Sequence, residues 1–172
     1  VSKPKYVINC VWEKNINNEL SSLKNTKILI ELLELTKKIN SNGFINLGTY
    51  QEYGTLTENI SEDHLAKPHT EFGKLKYSHS LLVEEIAKDL NLKACHLRIS
   101  ELYSLNKPEN FIFKALIKNI ANYIKEPFSF TNNKIDYIFV SDLCRAIISL
   151  VNSNSSGVFN IGSGQCNFDK DL

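Results

Sequence analysis

Pro68-His-Thr-Glu-Phe-Gly-Lys-Leu-Lys-Tyr-Ser-His-Ser-Leu-Leu-Val-Glu-Glu-Ile-Ala-Lys88 is the stretch from which the rest of the chain can be parsed. Leu75, Leu82, Val83, Ile86 and, just beyond, Leu90 fall near one face at helical spacing, which predicts a helix from about Thr70 to Leu90. Apolar runs of strand type stand on either side, Phe44-Ile-Asn-Leu-Gly-Thr-Tyr50 before it and Ala94-Cys-His-Leu-Arg-Ile-Ser100 after it. Earlier still, Tyr6-Val-Ile-Asn-Cys-Val-Trp12 is nearly continuous in apolar residues, as expected of a strand buried on both faces. Leucines and isoleucines at 20, 23, 28, 29, 32, 33, 35 and 39 predict a helix over 19–39. It would start at Asn17-Asn18 and close at Ser41-Asn42-Gly43, with the glycine as left-handed cap. Strand, helix, strand, helix, strand in this order implies parallel crossovers and a doubly wound α/β sheet.

Residues 51–69 are polar and read as a loop. After Pro108 the texture changes. A helix is predicted over 110–123, a short strand over 128–130 and another over 136–140. A helix capped by Asp142 then runs to Leu150 or Val151, and a last strand, 158–161, leads into Gly162-Ser-Gly164. The division this suggests is a first unit over 1–104 and a second over 105–172.

With 172 residues, 42% hydrophobic and 23% charged, the chain has the size and make-up of one globular domain. Twenty basic residues balance 19 acidic ones without a basic stripe, which argues against nucleic acid or a membrane surface as partner. Cys10, Cys95, Cys144 and Cys166 are scattered, three of them in apolar runs, and fit reduced thiols in a reducing compartment. Without an 18-residue apolar run or a signal-peptide core, the expected location is cytoplasmic. Methionine is absent and a core-type strand begins almost at once, so we expect part of a longer chain, or a separately encoded fragment of one. His64, His69, His79 and His96 lack metal-ligand spacing, and neither a nucleophile elbow nor a Walker loop is present.

Five segments, in order, resemble the extended short-chain dehydrogenases/reductases, the NAD-dependent epimerase/dehydratase family that modifies nucleotide-linked sugars. Phe44 to Gly54 is similar to that family's strand ending in Ser/Thr and then Tyr-Gly, which places Thr49 at the Ser/Thr position. Glu71-Phe-Gly-Lys-Leu-Lys76 resembles its Tyr-x-x-x-Lys segment, with Phe72 where the tyrosine belongs and Lys76 at the lysine. Leu97-Arg-Ile-Ser-Glu-Leu-Tyr103-Ser104 is similar to its Leu-Arg strand running into Tyr-Gly. Asp136-Tyr-Ile-Phe-Val-Ser-Asp142-Leu and Gly157-Val-Phe-Asn-Ile-Gly-Ser-Gly164 resemble its substrate-side segments.

The resemblance implies part of a Rossmann-type doubly wound parallel sheet, with residues 1–104 as the second half of an NAD(P)-binding domain. Residues 105–172 would be part of a small α+β substrate lobe. It implies NAD or NADP as cofactor, a nucleotide sugar as substrate, and a homodimer through the helices at 19–39 and 70–90. Lys76 would hold the nicotinamide ribose and Thr49 would orient the sugar hydroxyl, while the tyrosine would move the proton. Lys134 and Asp136 fall in the region of the substrate phosphates, although Ile135 replaces the arginine common there.

Two departures set the functional expectation. Phe72 carries no exchangeable proton. Tyr103 and Lys107 form a literal Tyr-x-x-x-Lys, but in a loop before Pro108 that would not aim them together; Tyr50, Tyr53 and Tyr77 are the other phenols near enough in sequence. Nor do the 172 residues contain the Gly-x-x-Gly-x-x-Gly turn that holds a dinucleotide's pyrophosphate. The expected protein is a truncated, catalytically impaired family member. The alternative is a non-catalytic binding or assembly protein that uses the scaffold as an interface. An unpaired strand edge at 6–12 would call for a partner, whether a dimer mate or a missing N-terminal half.

Overall fold

The computed structural model describes residues 3–13, 19–55, 60–104 and 134–168. In chain order the elements are β1 (Tyr6–Asn9), α1 (Glu19–Lys38), β2 (Gly43–Leu47), a 3-10 turn (Tyr50–Glu52), α2 (Glu71–Asp89), β3 (Lys93–Ile99) and β4 (Glu101–Tyr103). They continue as β5 (Lys134–Phe139), α3 (Val140–Ser153), β6 (Gly157–Ile161) and β7 (Cys166–Phe168). The main sheet is wholly parallel, in the order β1-β2-β3-β6. A smaller sheet has the order β4-β5-β7, with β4 parallel and β7 antiparallel to β5. Residues after 104 thus contribute to both sheets.

Alternation along β2 explains why helices cover both faces. Phe44 points to one side, where it packs with Leu29 and Leu33 of α1 and Val83 of α2. Ile45 points to the other, into a cluster with Cys95, Leu97, Ile99, Ile138 and Leu143 of α3. This is the doubly wound α/β arrangement expected from the order of the elements. The helix expected at about Thr70–Leu90 forms as Glu71–Asp89, with Thr70 as N-cap accepting the Gly73 amide.

Four local expectations are corrected. β1 is an edge strand that ends at Asn9; Ile8 is 40% exposed, so the run to Trp12 is not buried on both faces. The left-handed residue after α1 is Asn40, at φ 53°, and Gly43 begins β2 instead. On α1 the buried positions are Ser21, Asn25, Leu29, Leu33 and Thr36, whereas Leu20 and Leu23 are exposed. The reason is that the first turns of α1 face backbone: Asn25 accepts the Glu13 amide at 2.8 Å and donates to the Glu13 carbonyl at 3.2 Å. Asp142 does not cap α3, whose N-cap is Phe139; it lies in the first turn, paired with Arg145. The helix expected at 110–123, the strand at 128–130, Lys107 and the start at Asn17-Asn18 lie outside the described residues.

Candidate active site

The site is built where α2 passes the carboxyl ends of β1 and β2. Gly73 allows this approach, since a Cβ there would meet the Gln51 carbonyl oxygen at 2.5 Å. Thr70 adds a second tie by donating its hydroxyl to Gln51 Oε1 at 2.9 Å. Phe72 and Lys76, one helical turn apart, then face Trp12, which follows β1. Lys76 Nζ donates to the Leu47 carbonyl at 2.7 Å and lies 3.8 Å from the centroid of the Trp12 ring. The Phe72 ring centroid is 5.7 Å from the same nitrogen and meets Trp12 edge-on at 5.3 Å. Burial pushes the Lys76 ammonium down to about 8, against the opposing pull of the Glu52 charge.

One turn further along α2, His79 is 2% exposed, with its ring 5.8 Å from Trp12 and its Nε2 3.1 Å from Thr26 Oγ1 of α1. Burial, reinforced by the positive charge of Lys76, pushes its imidazole down to about 4.

Beside these groups a buried polar row crosses the sheet. Asn9, Asn46 and His96 are register partners on adjacent strands, so their side chains stand on one face. Asn9 Nδ2 donates to Asn46 Oδ1 at 2.9 Å, and Asn46 Nδ2 lies 2.9 Å from His96 Nδ1. A carboxylate only accepts, so His96 Nε2 donates to Glu52, at 2.9 Å from Oε1. Glu52 is wholly buried and also accepts the Thr49 amide at 2.9 Å and Arg98 Nε at 3.1 Å. Burial alone would raise its carboxyl; the bonds from His96, Thr49 and Arg98 outweigh that and hold it below the usual carboxylate range. Gly48 makes room for the row, because a Cβ there would meet His96 Nε2 at 2.2 Å and Glu52 Oε1 at 2.4 Å.

The structure brings together two of the expected residues in direct proximity, Phe72 and Lys76. Thr49 lies two residues beyond the carbonyl that holds Lys76; it is buried and caps the 3-10 turn, accepting the Gln51 amide at 3.4 Å. Lys134 opens β5, opposite Phe168. The Asp136 carboxylate is engaged within the protein, accepting the Ser163 amide at 2.9 Å, the Ser163 hydroxyl at 2.5 Å and the Gly164 amide at 3.0 Å.

Among the described residues, the tyrosines near Phe72 and Lys76 are committed or turned elsewhere. Tyr50 is pushed up to about 12 by burial and by Glu101, away from neutrality. Tyr53 donates to Asn160 Oδ1 at 2.8 Å and lies 3.2 Å from the Ser61 carbonyl. Tyr77 follows Lys76 directly and so points about 100° away around the helix. Trp12 and the row from Asn9 to Glu52 were not anticipated. The available signal was the polar residues set inside apolar strand runs, Asn9, Asn46, His96 and Arg98. Among the described residues no group of His, Cys, Asp and Glu could hold a metal ion, and no helix is long and apolar enough to cross a membrane.

The model of the NAD dependent epimerase/dehydratase family matches residues 1–162. The dTDP-4-dehydro-6-deoxyglucose reductase of Escherichia coli is 32% identical over 118 residues, 66% of this chain and 37% of that protein. Among solved structures, UDP-N-acetylglucosamine 4-epimerase from Bacillus cereus superposes with a TM-score of 0.86 at 17% identity, over 97% of this chain and 59% of that one. The dTDP-glucose 4,6-dehydratase from Bacillus anthracis in complex with NAD gives 0.83 at 24% identity, over 97% and 54%. A tyrosine-to-phenylalanine mutant of UDP-glucuronic acid 4-epimerase from Bacillus cereus, in complex with a fluorinated sugar nucleotide and NAD, gives 0.82 at 24%, over 97% and 56%. The chain thus spans little more than a third of the reductase and somewhat over half of these structures.

Proposed function

The chain belongs to the NAD dependent epimerase/dehydratase family, and from that premise we propose that it is a member impaired in hydride-transfer catalysis on nucleotide-linked sugars. The observation that carries this reading is the pair Phe72 and Lys76. Burial pushes the Lys76 ammonium down to about 8, yet the ring one turn before it has no hydroxyl to give or take a proton. Loss of a positioned acid–base group costs on the order of 100- to 10,000-fold in rate.

The residues present fit the nicotinamide end of the cofactor better than its pyrophosphate end. Lys76 is the group that would hold the nicotinamide ribose, and the bound dinucleotide would supply the hydride acceptor or donor. The 172 residues hold no glycine-rich turn for the pyrophosphate, so we expect weak binding by this chain alone. Thr49 is assigned to the sugar hydroxyl and Lys134 to the substrate phosphates. Asp136 is assigned to shaping the Ser163-Gly164 turn, because its oxygens are already committed there. Exposed Leu20, Leu23 and Leu35 of α1 and Leu81 of α2 are the residues to which we assign a homodimer contact.

A second reading, a non-catalytic binding or assembly protein, is favoured by one observation: Lys76 is closed beneath Trp12 rather than open to solvent. The two are separated by calorimetric titration of the protein with NAD⁺, NADP⁺ and UDP- and dTDP-linked sugars, alongside an NAD(P)H-linked turnover assay. We expect binding of a sugar nucleotide with turnover far below the roughly 1–1000 per second usual for enzymes. Turnover in that range refutes impairment; no binding of either ligand class refutes the family activity and favours the assembly reading.

A further inference from the structure

We propose that Trp12 is the gate of the Lys76 site, its indole occupying the face of the ammonium that an incoming ligand must reach. The proposal rests on the reading of Lys76 as the site lysine. Lys76 is 8% exposed, and three groups surround its nitrogen: the Leu47 carbonyl at 2.7 Å, the Trp12 ring at 3.8 Å and the Phe72 ring at 5.7 Å. Among the described residues no carboxylate pairs with it. The indole, with the Leu47 carbonyl and the more distant Glu52 charge, compensates the buried ammonium, as aromatic faces do for cations.

Trp12 is held in place from both sides. The Val11 amide donates to Asn9 Oδ1 at 3.1 Å, and Asn9 is the first member of the polar row that ends on Glu52. On the other side, Glu13 is bracketed by Asn25 and ion-paired with Lys24 at 3.2 Å. Cys10 to Glu13 is thus a short strap, outside the sheet, that lays one aromatic ring over one amine. An ammonium takes oxygen acceptors, so the ligand class that would displace the indole is one presenting hydroxyl, carboxylate or phosphate oxygens to Lys76.

Acylation by an amine-reactive acetyl ester, read by peptide mass spectrometry on the intact folded protein, tests the gate without any cofactor. Its failure is therefore distinct from failure of the proposed function. Lys74, two residues away with a side chain 53% exposed, is the internal standard. We expect Lys76 to react about tenfold or more slowly than Lys74 in the parent, and to approach the Lys74 rate in Trp12→Ala, as release of a local closure worth that factor requires. Equal rates in the parent, or a Lys76 that stays slow in folded Trp12→Ala, overturn the proposal.

A second readout needs no change at Trp12, the chain's single tryptophan. Its emission should step with a midpoint of about 8 as Lys76 loses its proton, and the step should vanish in Lys76→Gln. His79 titrates near 4 and Glu52 lies below the usual carboxylate range, so neither changes charge there. Cys10, whose charge acts on Lys76, and His96, hydrogen-bonded to Glu52, also lie near among the described residues, so Cys10→Ser and His96→Gln must each retain the step. Absence of the step in the parent also overturns the gate.

Discussion

Lys76 and His79 are two basic side chains on successive turns of one helix face, and both are pushed toward neutrality by the same burial. For His79 the consequence is a pH dependence of definite sign. Its folded value of about 4 lies below its ordinary 6.5, so between these values the unfolded chain binds more protons. Stability should fall as pH drops from about 6.5 to 4, by about 2 kcal/mol from this group. Urea midpoints at pH 7 and 4.5 should show this loss in the parent and lack it in His79→Gln. Lys76 acts with the same sign at higher pH, adding stability as pH rises from about 8 toward 10.5. The spacing of Phe72 and Lys76 was legible in the sequence because four residues make a turn of a strongly periodic helix. The place of Trp12 over that lysine was not legible, because no periodicity links a strand's exit to a helix 60 residues on.

At the scale of elements, α2 and the 3-10 turn meet through a backbone contact that a methyl group would obstruct. Gly73→Ala would place a Cβ 2.5 Å from the Gln51 carbonyl oxygen and should destabilise by about 1–3 kcal/mol, measured by thermal or urea unfolding. The polar row makes a stronger demand. Glu52→Ala leaves Arg98 and His96 buried without their carboxylate and should cost about 3–5 kcal/mol, whereas Arg145→Ala on the exposed face of α3 should cost under about 1 kcal/mol. Comparative denaturation of the two variants checks this ranking. Element types were well anticipated where the apolar period ran long, as along α2. Misreadings fell where polar groups took core positions. Ser21 and Asn25 stand where leucines were expected on the buried face of α1, Asn25 because it meets the Glu13 backbone there. Asn9 ends β1 early because its amide turns into the row.

For the whole molecule, the alternation of strands and helices was enough to anticipate a parallel sheet covered on both faces. The return of β6 beside β3 was not readable from it, since pairing between strands nearly 60 residues apart leaves no local mark. The site follows the same division. The helix and strand that carry Lys76 and Thr49 were visible in the sequence. The buried row beside them becomes visible only when adjacent strands are laid in register, which sets Asn46 against His96 and so leads to Glu52. On the proposed reading, the described residues keep part of the family's scaffold, Lys76 serves as its lysine, and Phe72 stands where a phenol would complete the chemistry. Turnover of a nucleotide-linked sugar coupled to NAD(P)H, by the protein expressed from its own coding region and by its Phe72→Tyr variant side by side, tests that claim most directly. The account predicts a gain of about 100-fold or more in the variant; equal turnover by the two proteins would contradict it.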